Sequence, residues 1–314
     1  VARYIVRRIM LLVPAWLIMG AAAFALIRLI PGDPAAVLLG MEATPQAVAE
    51  LRARLGLDQP LPVQFVLWLS RVLQGELGRS FFLGQPVLDA ILGRLPVTLS
   101  LTAAALAFAV LIGVPAGVRA ATRPNSPADL GAMAAAVVGL SVPDFALGLG
   151  LVVLFGVALQ WLPVSGYVPL SRSPAAFVQH LVLPAIALGM PQGALIARIT
   201  RSSMIEALGA DYVRTARAKG LAEPAVVGWH AFRNTLIHVL TVVGSVAVVL
   251  LGGAFVVETV FNLPGLGNLV VMAVKRRDYP LVQGCLLLIS TVVILVNLVV
   301  DVLYAYLDPQ IRYG

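Results

Sequence analysis

The residues best able to carry chemistry in this chain are cationic, and they crowd into one stretch. Arg198, Arg201, Arg214, Arg217, Lys219 and Arg233 stand within residues 198–240, the longest polar interruption in an otherwise apolar second half. Such a segment must sit in water or against another protein. Its pattern is helical: Met204, Leu208, Tyr212 and Thr215 recur on one stripe, Gly220 supplies a stop, and Glu223-Pro224 suits the start of a second short helix. A pair of short helices between apolar runs is a docking element, and its chemistry is recognition, guanidinium and ammonium groups meeting acids on a partner. Ser141, Asp144 and Glu258 lie in or beside apolar runs. Ionisable groups at membrane depth are costly, so these three are candidates for lining a path, although Asp144 equally suits a cap on the second half of a broken helix.

Other chemistries find no constellation. The three histidines, His180, His230 and His238, lack HExxH spacing, and neither GxSxG nor GxxxxGK followed by Ser or Thr occurs. Cys285, the single cysteine, lies in an apolar run and offers neither a disulfide framework nor a thiolate metal site.

The run Asp211-Tyr212-Val213-Arg214-Thr215-Ala216-Arg217-Ala218-Lys219-Gly220-Leu221, followed by His230-Ala231-Phe232-Arg233-Asn234, resembles the cytoplasmic coupling loop of ABC-importer permeases of the dipeptide/oligopeptide (peptide, nickel, glutathione) family. The general ABC-importer loop has a Glu-Ala-Ala triplet beginning six residues before a Gly. Here that place holds Arg214-Thr215-Ala216, a departure that the peptide branch shares. LIRLIPGDPA, GLDQPLPVQF with GELGRSF, ETVF with LPGLG, RDYP and YLDPQIRYG resemble the same family, so the likeness runs from Arg7 to Tyr313.

The resemblance implies that the loop fits a groove on an ATPase subunit and passes on its closing motion. Glu206, Ala207, Asp211, Tyr212, Arg214, Ala216, Arg217, Lys219 and Gly220 are the implied contact residues. Gly220 would let the chain turn, Ala216 and Ala218 would permit close approach, and Arg214, Arg217 and Lys219 could meet acidic groups. The implied fold is all-α, with six transmembrane helices in the ABC type I importer permease arrangement, cytoplasmic coupling helices and an external loop and helix cap. The implied partners are a second homologous permease, two ATP-binding subunits and an external solute-binding protein. No cofactor is expected in this chain, because ATP and Mg would bind to the ATPase subunits, and no enzyme activity of its own is expected. The implied cargo is a peptide or a related small solute.

Composition sets the frame for these residues. The chain has 314 residues, 60% hydrophobic and only 12% charged, with mean hydropathy +0.95. Ordinary soluble domains carry about 25% charged residues, so this is a polytopic membrane protein. The net charge of +7 is dispersed among apolar spans, which suits positive-inside bias better than nucleic acid.

Three segments follow: an amino-terminal stretch and first span over 1–30, an external loop over 31–95, and a permease core over 96–314 that contains the coupling loop at 201–236. The first span, about Ile9–Ile30, is too long for a secretory h-region and ends at Pro31-Gly32-Asp33-Pro34. In the external loop, Thr44 as N-cap and Pro45 at N1 open an amphipathic helix that ends near Gly56, and a second covers Pro62–Leu73. Span two opens at Pro96 and reaches Arg119. Span three, Gly131–Leu159, is kinked at Ser141-Val142-Pro143-Asp144. Span four covers His180–Ile199, with bends at Pro184 and Pro191; span five covers Ile237–Val257 and span six Leu281–Tyr306. Leu266–Ala273 is too short to span and forms a re-entrant or surface scoop.

With six spans, both termini, the loop after span two and the coupling segment share one side. That side carries 12 Lys and Arg against 10 opposite, six of the ten belonging to or flanking the long first loop, where charge weighs less. The bias places the coupling segment and both termini inside, in a bacterial or archaeal inner membrane, with Lys275-Arg276-Arg277 a local exception. The alternative reading is a secondary transporter driven by an ion gradient. It requires inverted halves and buried mid-span acids, for which Asp144 is the one fair candidate.

Overall fold

The computed structural model describes residues 2–29, 34–39 and 44–307, all helix and connection apart from an isolated bridge between Arg79 and Pro86. The helices are α1 (Ala2–Leu29), α2 (Pro34–Leu39), α3 (Pro45–Leu55), α4 (Leu61–Leu73), α5 (Val87–Thr122), α6 (Pro127–Ser141) and α7 (Asp144–Leu151), the last running on as a π-helical turn over Val152–Ala158. They continue with α8 (Pro174–Gly209), α9 (Asp211–Ala218), α10 (Glu223–Ala225) with a π-helical turn over Val226–Ala231, α11 (Phe232–Val260), α12 (Leu266–Lys275) and α13 (Tyr279–Leu307).

Among the described residues, five helical stretches are long and apolar enough to cross a membrane: α1, α5, α8, α10 with α11, and α13. A sixth crossing exists if α6 and α7 count as one, but they are bent by 100° at the break between them. The expected kink is therefore a full break, because Val142 is extended (ψ 121) and Pro143 has no N–H to carry the ladder on. The sequence-predicted start at Pro96 is also corrected. The helix begins at Val87, with Asp89 in its first turn, and Pro96 lies in its interior. Pro184 and Pro191 sit inside an unbroken α8. The Pro31–Asp33 stop and the tail from Asp308 lie outside the described residues.

The capping signals around residues 44–56 act locally as expected. The Thr44 hydroxyl accepts from the Ala47 N–H at 3.2 Å, Pro45 opens α3, and Gly56 closes it at φ 69°.

The chain forms two compact units. One is built on Val97–Pro264 with the end of α13 from Leu295; the other on Val6–Pro96 and Gly265–Ile294. In the first, one row of α5 at four-residue spacing, Val97, Leu101, Ala105, Ala109, Gly113 and Gly117, shrinks along the helix. It meets α8 through Gly189, Gly193 and Ala197. A Cβ on Gly113 would lie 2.5 Å from the Gly193 carbonyl oxygen, and one on Gly117 would lie 2.5 Å from that of Ala197. Small residues thus bring the two backbones together, as helices in lipid require when hydrophobic drive between them is absent. Val246, Leu250, Ala254 and Val257 of α11 complete this core.

In the second unit, Leu266, Leu269 and Ala273 of α12 pack with Val87, Ala90, Ile91, Leu281, Val282 and Cys285. Phe24 of α1 clusters with Phe65 and Trp68 of α4, ring centroids 5.3–6.0 Å apart. There the amphipathic helix α4 finds its partner.

Candidate functional site

The site begins where α8 stops. Ala210 turns extended (ψ 152°), so the helical stripe read from Met204 to Thr215 is cut between Leu208 and Tyr212. After the break α9 starts a new register. Val213 and Ala216, three apart, are its buried residues, whereas Tyr212 and Thr215 are exposed. Asp211 opens the helix, where a carboxylate suits the partial positive charge of the N-terminus. Gly220 at φ +78° reverses the chain, a conformation side chains adopt only with strain. The Leu221 N–H then donates back to the Ala216 carbonyl at 3.3 Å.

Beneath α9 lies a small separate core: Ala121 of α5, Met204 of α8, Val213 and Ala216 of α9, and Val226 and Ala231 of the π-helical turn. Val226 and Ala231 are five residues apart and both fully buried, the spacing that a π turn puts on one face. The same turn leaves Trp229 exposed at its surface, with the Arg233 guanidinium 5.2 Å from its ring centroid.

The outer face of this platform is polar and open. Glu206, Asp211, Tyr212, Arg214, Arg217, Lys219 and Gly220 are exposed, and Ala207 is half-buried. Ala216 is the exception among the predicted contact residues, because its side chain is taken up by the chain's own core. Arg214 lies 3.3 Å from Asp211 on the same helix, and Arg217 reaches across the Gly220 turn to Glu223 at 2.7 Å. Arg217 therefore staples the turn, and Arg214 and Lys219 carry the freer outward charge.

The path candidates are dispersed differently from the sequence expectation. Ser141 and Asp144 flank the α6–α7 break. The Ser141 hydroxyl donates to the Val137 carbonyl at 2.8 Å, and Asp144 accepts from the Phe145 N–H at 2.8 Å, within the first turn of α7. Glu258 is instead wholly buried in the single chain, accepting from the Thr98 hydroxyl at 2.5 Å. Asp278, beside the scoop, is also buried. It caps α13 by accepting from the Leu281 N–H (3.3 Å) and takes hydrogen bonds from Ser80 Oγ (2.5 Å) and the Phe82 N–H (3.0 Å). Among the described residues no cluster of three or more His, Cys, Asp or Glu could hold a metal ion.

Sequence reasoning missed Val213, Trp229 and the pairing of Asp129 with Arg201. For Asp129 a local signal exists, since Ser126-Pro127-Ala128-Asp129 has capping-box spacing and the Ser126 hydroxyl accepts from the Asp129 N–H at 3.3 Å.

Comparison with known proteins bears on this geometry. Residues 113–313 match the family described as binding-protein-dependent transport system inner membrane component, and residues 1–102 match its amino-terminal family. A Brucella abortus protein whose name describes a peptide transport system permease is 46% identical over 309 residues, covering 98% of both chains. The glutathione transport system permease protein GsiC of Salmonella choleraesuis is 46% identical over 310 residues, covering 99% of both. Among solved structures, a chain of the MetNI methionine ABC transporter in inward facing conformations superposes with TM-score 0.57 at 19% identity. It covers 69% of this chain and 95% of that one, a likeness of fold. A full-length family match and an exposed charged helix on its own packed base converge: this chain belongs to the binding-protein-dependent transport system inner membrane components, the permeases of ABC importers.

Proposed function

We propose that this permease moves peptides, or small peptide-like solutes such as glutathione, inward by alternating access, driven by ATP hydrolysis in separate subunits. The observation that carries the reading is the α9 platform. Its apolar face is fully used inside the chain, and its charged face, led by Arg214 and Lys219, is left open. A helix so divided can take load from a partner and deliver it to α8 without deforming. The names of the relatives at 46% identity support the cargo class.

In this reading two ATPase subunits bind ATP and Mg and grip the α9 face of this chain and of a second, homologous permease. An external solute-binding protein delivers cargo to the opposite side. Both termini and the α9 platform face the cytoplasm of a bacterial or archaeal cell. Ser141 and Asp144, which flank the α6–α7 break, are the path candidates; Glu258 positions α11 against α5 through Thr98.

The test is to purify the tagged chain from its native membrane, identify what accompanies it, and reconstitute the complex in liposomes with radiolabelled glutathione and a pool of tripeptides. ATP-dependent uptake by a complex containing two ATPase subunits is the expected result. Uptake by the chain alone that follows an ion gradient and ignores ATP overturns the reading.

A further inference from the structure

We infer that Asp129 and Arg201 form the joint through which movement of the α9 platform reaches the broken helix pair α6–α7, an inference that rests on the ATP-driven reading above. The Arg201 fork closes on the Asp129 carboxylate from two directions, Nε to Oδ1 at 2.5 Å and Nη2 to Oδ2 at 2.6 Å. Asp129 is 1% exposed and also accepts from the Asn125 N–H at 2.8 Å, so the carboxylate is held on both sides. A bidentate, charge-assisted pair fixes orientation as well as distance.

Its position gives it a mechanical role. Arg201 continues the α8 row of Gly189, Gly193 and Ala197 that lies against the α5 backbone, and it stands one turn before Met204 in the core beneath α9. A load on α9 therefore arrives at Arg201 on a helix already locked to α5. Beyond this pair α6 packs closely along α8 through small residues. The buried residues of α6 after Asp129 are Ala136 and Gly139, and a Cβ on Gly139 would meet the Ala194 methyl at 3.4 Å and the Met190 carbonyl oxygen at 4.0 Å. Small residues permit close approach but offer no knob to resist sliding. The fork at the first turn of α6 is what fixes its axial position on α8. At its other end α6 gives way to the Val142-Pro143 break, which Ser141 and Asp144 flank and where the chain bends by 100° into α7. The far side of the break packs on both α8 and the end of α11: a Cβ on Gly148 of α7 would meet Phe261 at 3.2 Å, Val260 at 3.4 Å and Ala187 of α8 at 3.7 Å. An α6 that follows α8, joined to an α7 that is tied to the end of α11 as well as to α8, makes the break the point that flexes. Asp129 and Arg201 are positioning residues in this scheme, and neither touches cargo.

The experiment compares wild type, Asp129→Asn, Arg201→Gln, Arg201→Lys and the charge-exchanged double variant Asp129→Arg/Arg201→Asp. Each is co-expressed with its partners, reconstituted in liposomes, and read as labelled glutathione or tripeptide taken up per ATP hydrolysed. The expected result is a loss on the order of tenfold in that ratio for the two neutral variants, a smaller loss for Arg201→Lys, and recovery of most of it in the exchanged pair. A merely structural role would lower the yield of complex and leave the ratio of surviving complex unchanged, and that outcome overturns the inference. If the neutral variants do not assemble, Arg201→Lys, which keeps the charge and loses the fork, is read in the same way, and an unchanged ratio again overturns it. ATP-driven uptake by wild type with unchanged variants sinks this inference alone. Wild-type uptake that ignores ATP sinks the ATP-driven reading and the inference with it.

Discussion

Two short helices, the polar α9 and the apolar α12, share a basic end and have different fates in the fold. Each is too short to span, each follows a long apolar helix, and each has basic residues at its end: Arg217 and Lys219 at the end of α9, Lys275, Arg276 and Arg277 at the end of α12. At α12 the chain uses its own groups to finish the helix. Arg276 lies 4.5 Å over the Phe82 ring, and the next acid, Asp278, is buried in hydrogen bonds to Ser80, Phe82 and Leu281. At α9 only the apolar face is used, and the polar face is held by two exposed ion pairs of the kind worth about 0.2–1 kcal/mol each. A satisfied helix end is architecture. A helix whose rigid base is complete and whose charged face is open is made for another molecule.

That contrast can be broken from its foundation upward. The largest effect is expected at Gly117. A leucine there drives Cβ into the Ala197 carbonyl and the Thr200 side chain, which separates α5 from α8 under α9. Size-exclusion chromatography in detergent should recover little assembled complex; a normal yield would show that the α5–α8 contact is not the base of the platform. Next is Gly220→Val, which forces a β-branched residue to φ +78°, a strain of roughly 1–3 kcal/mol. The complex should assemble, with uptake per ATP down at least tenfold. Retained coupling would remove Gly220 from the coupling turn.

Smaller effects separate the two helices. Asp278→Ala removes the α13 cap and leaves buried donors unpaired, a loss of about 2–3 kcal/mol. It should lower the thermal unfolding temperature and leave uptake per ATP unchanged in the complex that survives. Arg214→Ala with Lys219→Ala should do the reverse: unchanged melting, and affinity for the ATPase subunits lower by about tenfold, near 1.4 kcal/mol, in a binding titration. If the two variants behaved alike, the distinction between α9 and α12 would fail. The smallest change is expected for Arg217→Gln, which opens the Glu223 pair across the Gly220 turn and should shift melting by under about 1 kcal/mol.

Where a signal is local, the chain could be read directly. Thr44-Pro45 opens α3, Gly56 ends it, Gly220 turns the chain and Glu223-Pro224 starts the next helix, because capping and φ preferences act over three or four residues. The stripe from Met204 to Thr215 reads as one helix because Gly209 and Asp211, a stop and a start signal on either side of the break at Ala210, are outweighed by the apolar spacing. That break pays off only when Val213 and Ala216 drop into the core formed by Ala121, Met204, Val226 and Ala231. Pro96 was misread as a start because proline is tolerated at N1, yet α5 had already begun at Val87. Of the candidate site residues, the exposed charges of α9 were legible as a charged run, whereas the inward turn of Ala216 and the burial of Glu258 were not.

By itself, the sequence determined that the chain crosses a membrane several times, where its local caps and turns fall, and which family it resembles. Those properties follow from transfer free energy, short-range backbone preferences and motif spacing. Only the tertiary structure decided which distant groups meet. Arg201 meets Asp129 across 72 residues, Thr98 meets Glu258 across 160, and Ser80 meets Asp278 across 198. A buried polar group demands a partner but does not name it, and the choice is made by the close packing of helices, which exists only once the whole chain is folded.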